Sequence, residues 1–459
     1  MRKFRKNIIW LLLFSIIFVT CQRDRILTDS VVKLEFSADT LSFDTLFSSI
    51  GSNTKRLKVY NRFNQTIQIS KISLMGGNSS KFRININGIK ADELTDVEVS
   101  ANDSLYIFIE ITTPLEKNIV FHQDSIVFIT NGNRQHVLLY AWGQNINLID
   151  GQVIKTQTWN SAKPYLIFNS MLVDSLSTLT IEAGTKLYFH RNSRLYVKGS
   201  LIVKGSLNNE VIMQGDRLEK MYDDVPGQWD GIWFINGSKE NIINYAIIKN
   251  AVIGLQVDTF ATSNKPTLSI HNSRVEHHSY AGILGRGSKI LATNCVIGDC
   301  GYHSVALIYG GEYEFYHCSI ANFWNNSYSN RTKPAVYLNN YYEYNAREIA
   351  RNLSKAYFGN CIIYGNKNEE IGLDFTSKAD ANFFFENCLL KTNLLTEINI
   401  PVHSINSKMN KDPKFVNYQK YNFELDTLSP AKNAGGRTLV NQFLNLLQYS
   451  IQIFCSMDD

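Results

Sequence analysis

From about Asn244 onwards the chain repeats a short pattern of apolar and polar positions. Asn294-Cys295, His317-Cys318, Asn360-Cys361 and Asn387-Cys388 recur at steps of 23, 43 and 27 residues, and Asn272-Ser273 and Asn244-Tyr245 extend the register backwards at steps of 22 and 28. After each of the four Cys-containing dipeptides the residues alternate, so Cys295 with Ile297, Cys318 with Ile320, Cys361 with Ile363 and Cys388 with Leu390 share one strand face. Ile270, Phe315, Phe358 and Phe385 stand two places ahead of the Asn or His. If they also point inward, the alternation slips by one at that residue and the chain bends there. Asn is the non-glycine residue that best tolerates the left-handed conformation of such a bend, and its amide can bond the equivalent amide one coil on. The pattern therefore predicts a stacked ladder of Asn244, Asn272, Asn294, His317, Asn360 and Asn387.

Two further strand signals fall in each repeat, as in Gly254–Val257 with Leu268–Ile270, or Val305–Ile308 with Tyr313–Phe315. Three strands per coil stacked about 4.8 Å apart would line the interior with columns of Cys, Ile, Val and Phe. A repeat of this length is the signature of a solenoid. The chain resembles right-handed parallel β-helix proteins, a broad repeat family that includes pectin-degrading enzymes and many bacterial surface proteins. The right hand follows from that resemblance and from the crossover rule. Short strands broken by Gly, Leu179–Thr185 and Leu195–Gly205, mark the front of this region, and Ser429-Pro430-Ala431-Lys432-Asn433-Ala434-Gly435 is similar to a segment that often closes such helices. Past it, Leu439, Phe443, Leu444, Leu447 and Ile451 fall at helical spacing, which suggests a capping helix or a truncated gene end.

Residues 31–146 read differently. Strand signals at Arg56–Tyr60, Ile67–Ile69, Phe82–Ile86, Leu105–Ile109 and Val137–Ala141 come at the spacing of a two-sheet sandwich. With Asn61, the Gly76-Gly77 turn, Asp103-Ser104 and Ala141-Trp142-Gly143, the segment resembles immunoglobulin-like Hydin and major-sperm-protein domains, which implies a spacer or contact module. The fold class expected is thus all-β: a right-handed parallel β-helix over 147–435, preceded by an immunoglobulin-like β-sandwich, with an atypical tail at 436–459.

Arg2, Lys3, Arg5 and Lys6 precede an apolar run from Ile8 to Val19, and Cys21 follows it. This is secretory-signal patterning over residues 1–20, too short for a comfortable span. The placement of Cys21 resembles the lipobox of bacterial lipoproteins, although Phe18, Val19 and Thr20 depart from its usual residues. That resemblance implies acylation of Cys21, a short linker over 21–30, and, with Gln22 next, an outer-membrane address. The formal charge of +5 comes from 46 basic and 41 acidic residues, and four of the basic ones lie in the signal. The remainder is close to neutral, which removes the electrostatic case for nucleic-acid binding. The repeat cysteines should be reduced and space-filling, since parallel stacked side chains are poorly oriented for bridges. No Cys-x-x-Cys pair occurs, so neither a metal nor another cofactor is expected.

Three regions carry candidate chemistry. Asp216–Trp233 sets Asp223, Asp224 and Asp230 beside Trp229 and Trp233, and aromatic faces with acids suit sugar rings. The same Gly-x-Trp-x-Gly-Ile segment also resembles a structural opening of β-helix coils, with the Trp packed. Glu276-His277-His278 reads as a solvent-exposed turn. The long coil between Cys318 and Cys361 adds Trp324, Tyr341 and Tyr342 among other aromatics, a candidate contact surface for glycan or protein. The basic pairs of pectate lyases and the acid and Gly-His-Gly set of polygalacturonases are missing. The leading expectation is a lipid-anchored, non-catalytic binder of polysaccharide or of an envelope protein; the alternative is a β-helix polysaccharide lyase or glycoside hydrolase.

Overall fold

In the computed structural model the described residues are 25–48, 50–114, 120–260, 264–325, 330–394 and 400–442. Cys21 and the tail beyond residue 442 lie outside them. The chain divides into two compact units, residues 1–145 and 146–459.

The first unit is a two-sheet β-sandwich. One five-stranded antiparallel sheet runs in the order Glu35–Phe36, Lys55–Tyr60, Ser104–Ile111, Phe82–Ile86, Ile89–Lys90. The other runs Thr40–Phe47, Asn133–Gln144, Val120–Thr130, Ile67–Leu74, Glu93–Val99, and its first pair is parallel. Alternation explains the packing: Leu57, Val59, Ile107 and Ile109 from one sheet meet Phe43, Ile69, Phe128 and Leu139 from the other in a single buried cluster. Asn61 is buried at a turn, where its amide donates to the carbonyls of Gln65, Val99 and Ser100.

The second unit is a parallel β-helix. Its strands form one 18-stranded and one 10-stranded sheet, and every pairing within these two sheets is parallel. The larger sheet contains two ladders, so each coil contributes three strands, such as Lys289–Thr293, Val296–Cys300 and His303–Ile308. Leu, Ile, Val and Phe fill a continuous interior, with Phe315, Phe358 and Phe385 stacked at 5.1 Å per step.

The bend predicted at the repeat dipeptide is present. Asn272, Asn294, His317, Asn360 and Asn387 all have left-handed backbones, with φ between 48° and 55°. Directly after the bend, the thiols of Cys295, Cys318, Cys361 and Cys388 each donate to the carbonyl two residues back, as the Ser273 and Ser407 hydroxyls do. Cys therefore acts here as a larger, more apolar serine. All four thiols are buried and free, as is Cys300.

The amide ladder itself is shorter than expected. Asn272 Nδ2 donates to Asn244 Oδ1 at 2.9 Å and Asn294 Nδ2 to Asn272 Oδ1 at 2.7 Å. In the Asn244 coil the left-handed residue is Tyr245 (φ 49°), because Asn244 pairs in register with His271; Asn244 supplies only an acceptor. Beyond Asn294 the column turns to the C-terminal segment. Asn360 accepts from the Gly436 N–H at 2.8 Å and donates back to its carbonyl, and His317 Nε2 lies 3.4 Å from the carbonyl of Leu439. Asn387 donates to Glu386. One rung was missed in the sequence: Asn406, also left-handed at φ 54°, follows Ile405, which pairs with Glu386.

The Ser-Pro-Ala-x-Asn-Ala-Gly segment is thus followed by a strap across the bends, and the tail's described helical part is only Arg437–Gln442. The long coil after Cys318 is pinned by a buried ion pair: Arg331 is bonded to both Glu370 oxygens, at 2.7 and 2.6 Å, and to Asn322, Lys333 and Asn366.

Candidate functional site: an aromatic groove across the coils

Where His303–Ile308 and the equivalent strands of the other coils end, successive coils place Asp258, Arg286, Ile308, Asn339 and Asp374 in one register column. Parallel in-register pairing makes the column, since each residue sits one coil rise from the next. Beside it the chain leaves the strand, and Phe260, Tyr309 and the hairpin Tyr341–Tyr344 with Arg347–Ala350 build a wall. Asp258, Phe260, Arg286, Tyr309, Asn339, Tyr341 and Tyr342 line a groove of 580 Å³, and Asp374 stands outside its lining.

Its aromatic side is open. Phe260 is 49% exposed and Tyr342 43%. Tyr342 meets Tyr309 edge-on, ring centroids 4.7 Å apart, and the Arg351 guanidinium covers the Phe260 ring at 3.9 Å. Aromatic faces presented this way suit the apolar faces of pyranose rings.

Its polar side is fixed. Asp258 Oδ2 accepts from Trp233 Nε1 at 2.9 Å and from Gln256 at 2.7 Å, with Arg286 at 3.4 Å. Asp258 Oδ1 is buried and has no hydrogen-bond partner among the described residues. At the far end Asp374 accepts from the Tyr337 and Tyr341 hydroxyls, at 2.6 and 3.0 Å. Burial, and then this carboxylate, push the Tyr337 phenol well above its usual range. Tyr337 and Tyr341, both raised by this carboxylate, therefore present neutral hydroxyls.

Asp258 and Asp374 are four coil steps apart in their register column, about 19 Å at 4.8 Å per step. Glycoside hydrolysis needs a pair separated by about 5 to 9.5 Å. Asp258 and Asp374 cannot act together on one bond.

The sequence candidates distribute unevenly over this geometry. Tyr341 and Tyr342 lie in the groove, and Trp233 orients its acid. Trp229 does not face solvent: it is 1% exposed, stacks on Phe189 at 4.0 Å and donates to the Lys249 carbonyl, so it is a core residue. Trp324 is buried beside Gly301. Asp230 lies 3.5 Å from Arg194, and Asp223 contributes its backbone carbonyl to Lys249 and Asn250. Asp224 lies 3.4 Å from His277, on a different face from the groove. His277 and His278 do not form a solvent-exposed turn, being 2% and 0% exposed. Arg286, a cation that the sequence offers for a uronate carboxylate, lies in the groove; Asp258 and Phe260 were missed, although Asp258 and Arg286 are 28 residues apart, the same step as Asn244 to Asn272. Among the described residues no group of three His, Cys, Asp or Glu side chains is arranged to hold a metal ion.

No protein-family model matches the chain, and no curated protein does. Among solved structures it is similar to a family 123 glycoside hydrolase from Clostridium perfringens (7% identity, 26% of this chain and 30% of that one, TM-score 0.19). It is also similar to a PapD-like domain of human CEP192 (10% identity, 26% and 94%, TM-score 0.18). A third match is the catalytic unit of a GH87 α-1,3-glucanase from Streptomyces thermodiastaticus (11% identity, 77% and 66%, TM-score 0.22). The chain thus spans under a third of the first of these, and likeness at these scores carries no argument about activity.

Proposed function

We propose that this is a lipid-anchored protein of the bacterial cell envelope whose β-helix binds a carbohydrate chain without cleaving it. The observation that carries the reading is the groove: exposed Phe260 and Tyr342 rings share it with Arg286 and with Asp258, the one carboxylate among its described lining residues. Stacking faces with a few fixed polar groups suit sugar recognition, and the described lining lacks the second carboxylate that hydrolysis needs. The front sandwich is read as a spacer of immunoglobulin type, and Cys21 as the acylated residue that ties the protein to the outer membrane.

The test is a calorimetric titration of the protein with a panel of neutral and acidic oligosaccharides, with product analysis on every ligand that binds. Tyr342→Ala should weaken binding about five- to tenfold, on the order of 1 kcal/mol for one aromatic contact, and leave melting unchanged because the ring is exposed. Release of reducing or unsaturated ends by the pure protein would replace this reading with that of a β-helix hydrolase or lyase.

A further inference from the structure

On another face of the helix, at the second bend of each coil, a histidine sits where neighbouring coils carry amides or acids. Asn250, His277 and Asp299 occupy one register column, all with left-handed backbones (φ 66°, 59° and 49°). His277 is 2% exposed, yet both its ring nitrogens face carboxylates. Nδ1 lies 2.6 Å from Asp299 Oδ2, and Nε2 lies 3.4 Å from Oδ1 of Asp224, whose side chain is 54% exposed at the tip of the loop between Gly215 and Trp229. The ring edge packs on Tyr421, centroids 4.3 Å apart at 80°, from the segment just before Asn422–Leu425.

We propose that His277 is a pH-sensitive clasp: doubly protonated, it fastens the Asp224 loop to Asp299 of the next coil, and on losing a proton it lets the loop tip go. The chemistry of the ring requires this. A neutral imidazole has one N–H, and the short contact to Asp299 holds it on Nδ1. Nε2 then turns a lone pair toward the Asp224 carboxylate, an acceptor facing an acceptor. With both nitrogens protonated, each carboxylate receives a charge-assisted bond.

Every charged group packed around the ring bears on its proton. Burial opposes the charged form most strongly, but the Asp299 bond and the negative charges of Glu276, Asp299 and Asp224 outweigh it and hold the His277 pKa above the ordinary 6.5. Glu276 is itself paired with Arg274 at 2.9 Å. His278, next on the strand, points into the interior and is held neutral by burial, at about 3. Burial and the same three carboxylates keep the Tyr421 phenol protonated. A raised folded-state pKa means that the clasp's stabilisation is complete below about 6.5 and is lost as pH climbs through the folded value. Contacts that do not use the imidazole proton remain, since Lys249 and Asn250 donate to the Asp223 carbonyl and Asn250 also to that of Val225. Release is therefore local to the loop tip.

Hydrogen exchange of the full chain, corrected for intrinsic rates, tests this between pH 6 and pH 8.5. Peptides covering 217–228 should lose protection several-fold at the higher pH while the sheet ladders do not change. His277→Asn, which keeps a residue tolerant of the left-handed bend, should abolish that step, and so should Asp224→Asn, an exposed change that leaves the fold alone if His277→Asn does not fold. An unchanged step in either folded variant, or no step in the wild type, overturns the clasp.

Discussion

At the scale of single residues, the repeat Asn does two separable jobs. It takes a left-handed backbone that costs most L-residues about 1–2 kcal/mol, and in Asn272 and Asn294 it also carries a buried amide-to-amide bond worth about 1 kcal/mol net. Substituting Asn294 separates them. Asn294→Gly keeps the bend but strands the Asn272 acceptor, and should cost about 1–3 kcal/mol. Asn294→Ala adds the backbone strain and should cost about 1–2 kcal/mol more than the Gly variant. Urea denaturation at constant m-value reads both, and equal losses for Gly and Ala would show that the bend carries no strain. The dipeptide's second residue explains itself at the same scale: a Cys, like Ser273 and Ser407, closes the bend by donating to the carbonyl behind it, while filling more of the apolar interior.

At the scale of elements, the long coil after Cys318 shows how an insertion stays attached to a solenoid. It re-enters the ladder at Val336–Asn339, and just before that Arg331 reaches under it to Glu370, both side chains fully buried. A buried pair of this kind is costly to break from one side and cheap to replace whole. Arg331→Met should therefore destabilise by about 3–5 kcal/mol, and Arg331→Met with Glu370→Leu should recover most of that loss. Thermal melts of the two variants check it: a double variant no better than the single would mean that the backbone groups left unpaired, the carbonyls of Asn322 and Lys333 and the N–H groups of Ala335 and Lys367, are the larger part of the interaction.

At the scale of the whole molecule, two units with separate cores lie behind an N-terminal segment whose Cys21 follows an apolar run. If Cys21 is acylated, the added chains hold the protein at a membrane at about 0.8 kcal/mol per buried methylene, far more than a single Ala could replace. Cys21→Ala should move the protein to the soluble fraction and remove the lipid mass; unchanged partitioning would sink the anchor.

The coil and its bend were written in the sequence, because inward positions at a bend face the same constraint in every turn and only a few residue types meet it. The Asn and Cys dipeptides state that constraint locally, so their period alone predicts stacked coils. The ladder's end was not legible, because whether an Asn amide meets another Asn or the strap at Gly436 depends on what the chain does 76 residues later. Trp229 could be a sugar platform or a core residue by its neighbours in sequence; its stacking on Phe189, from another coil, made it core. The groove and the His277 clasp are cross-coil objects. Their partners share the ladder's own steps, 28 residues from Asp258 to Arg286 and 22 from His277 to Asp299, so the periodicity determined who could meet. Which side chains then pointed outward, which were buried and how far apart the carboxylates stood were decided only when the coils stacked, since burial and distance belong to the packed chain and not to its order.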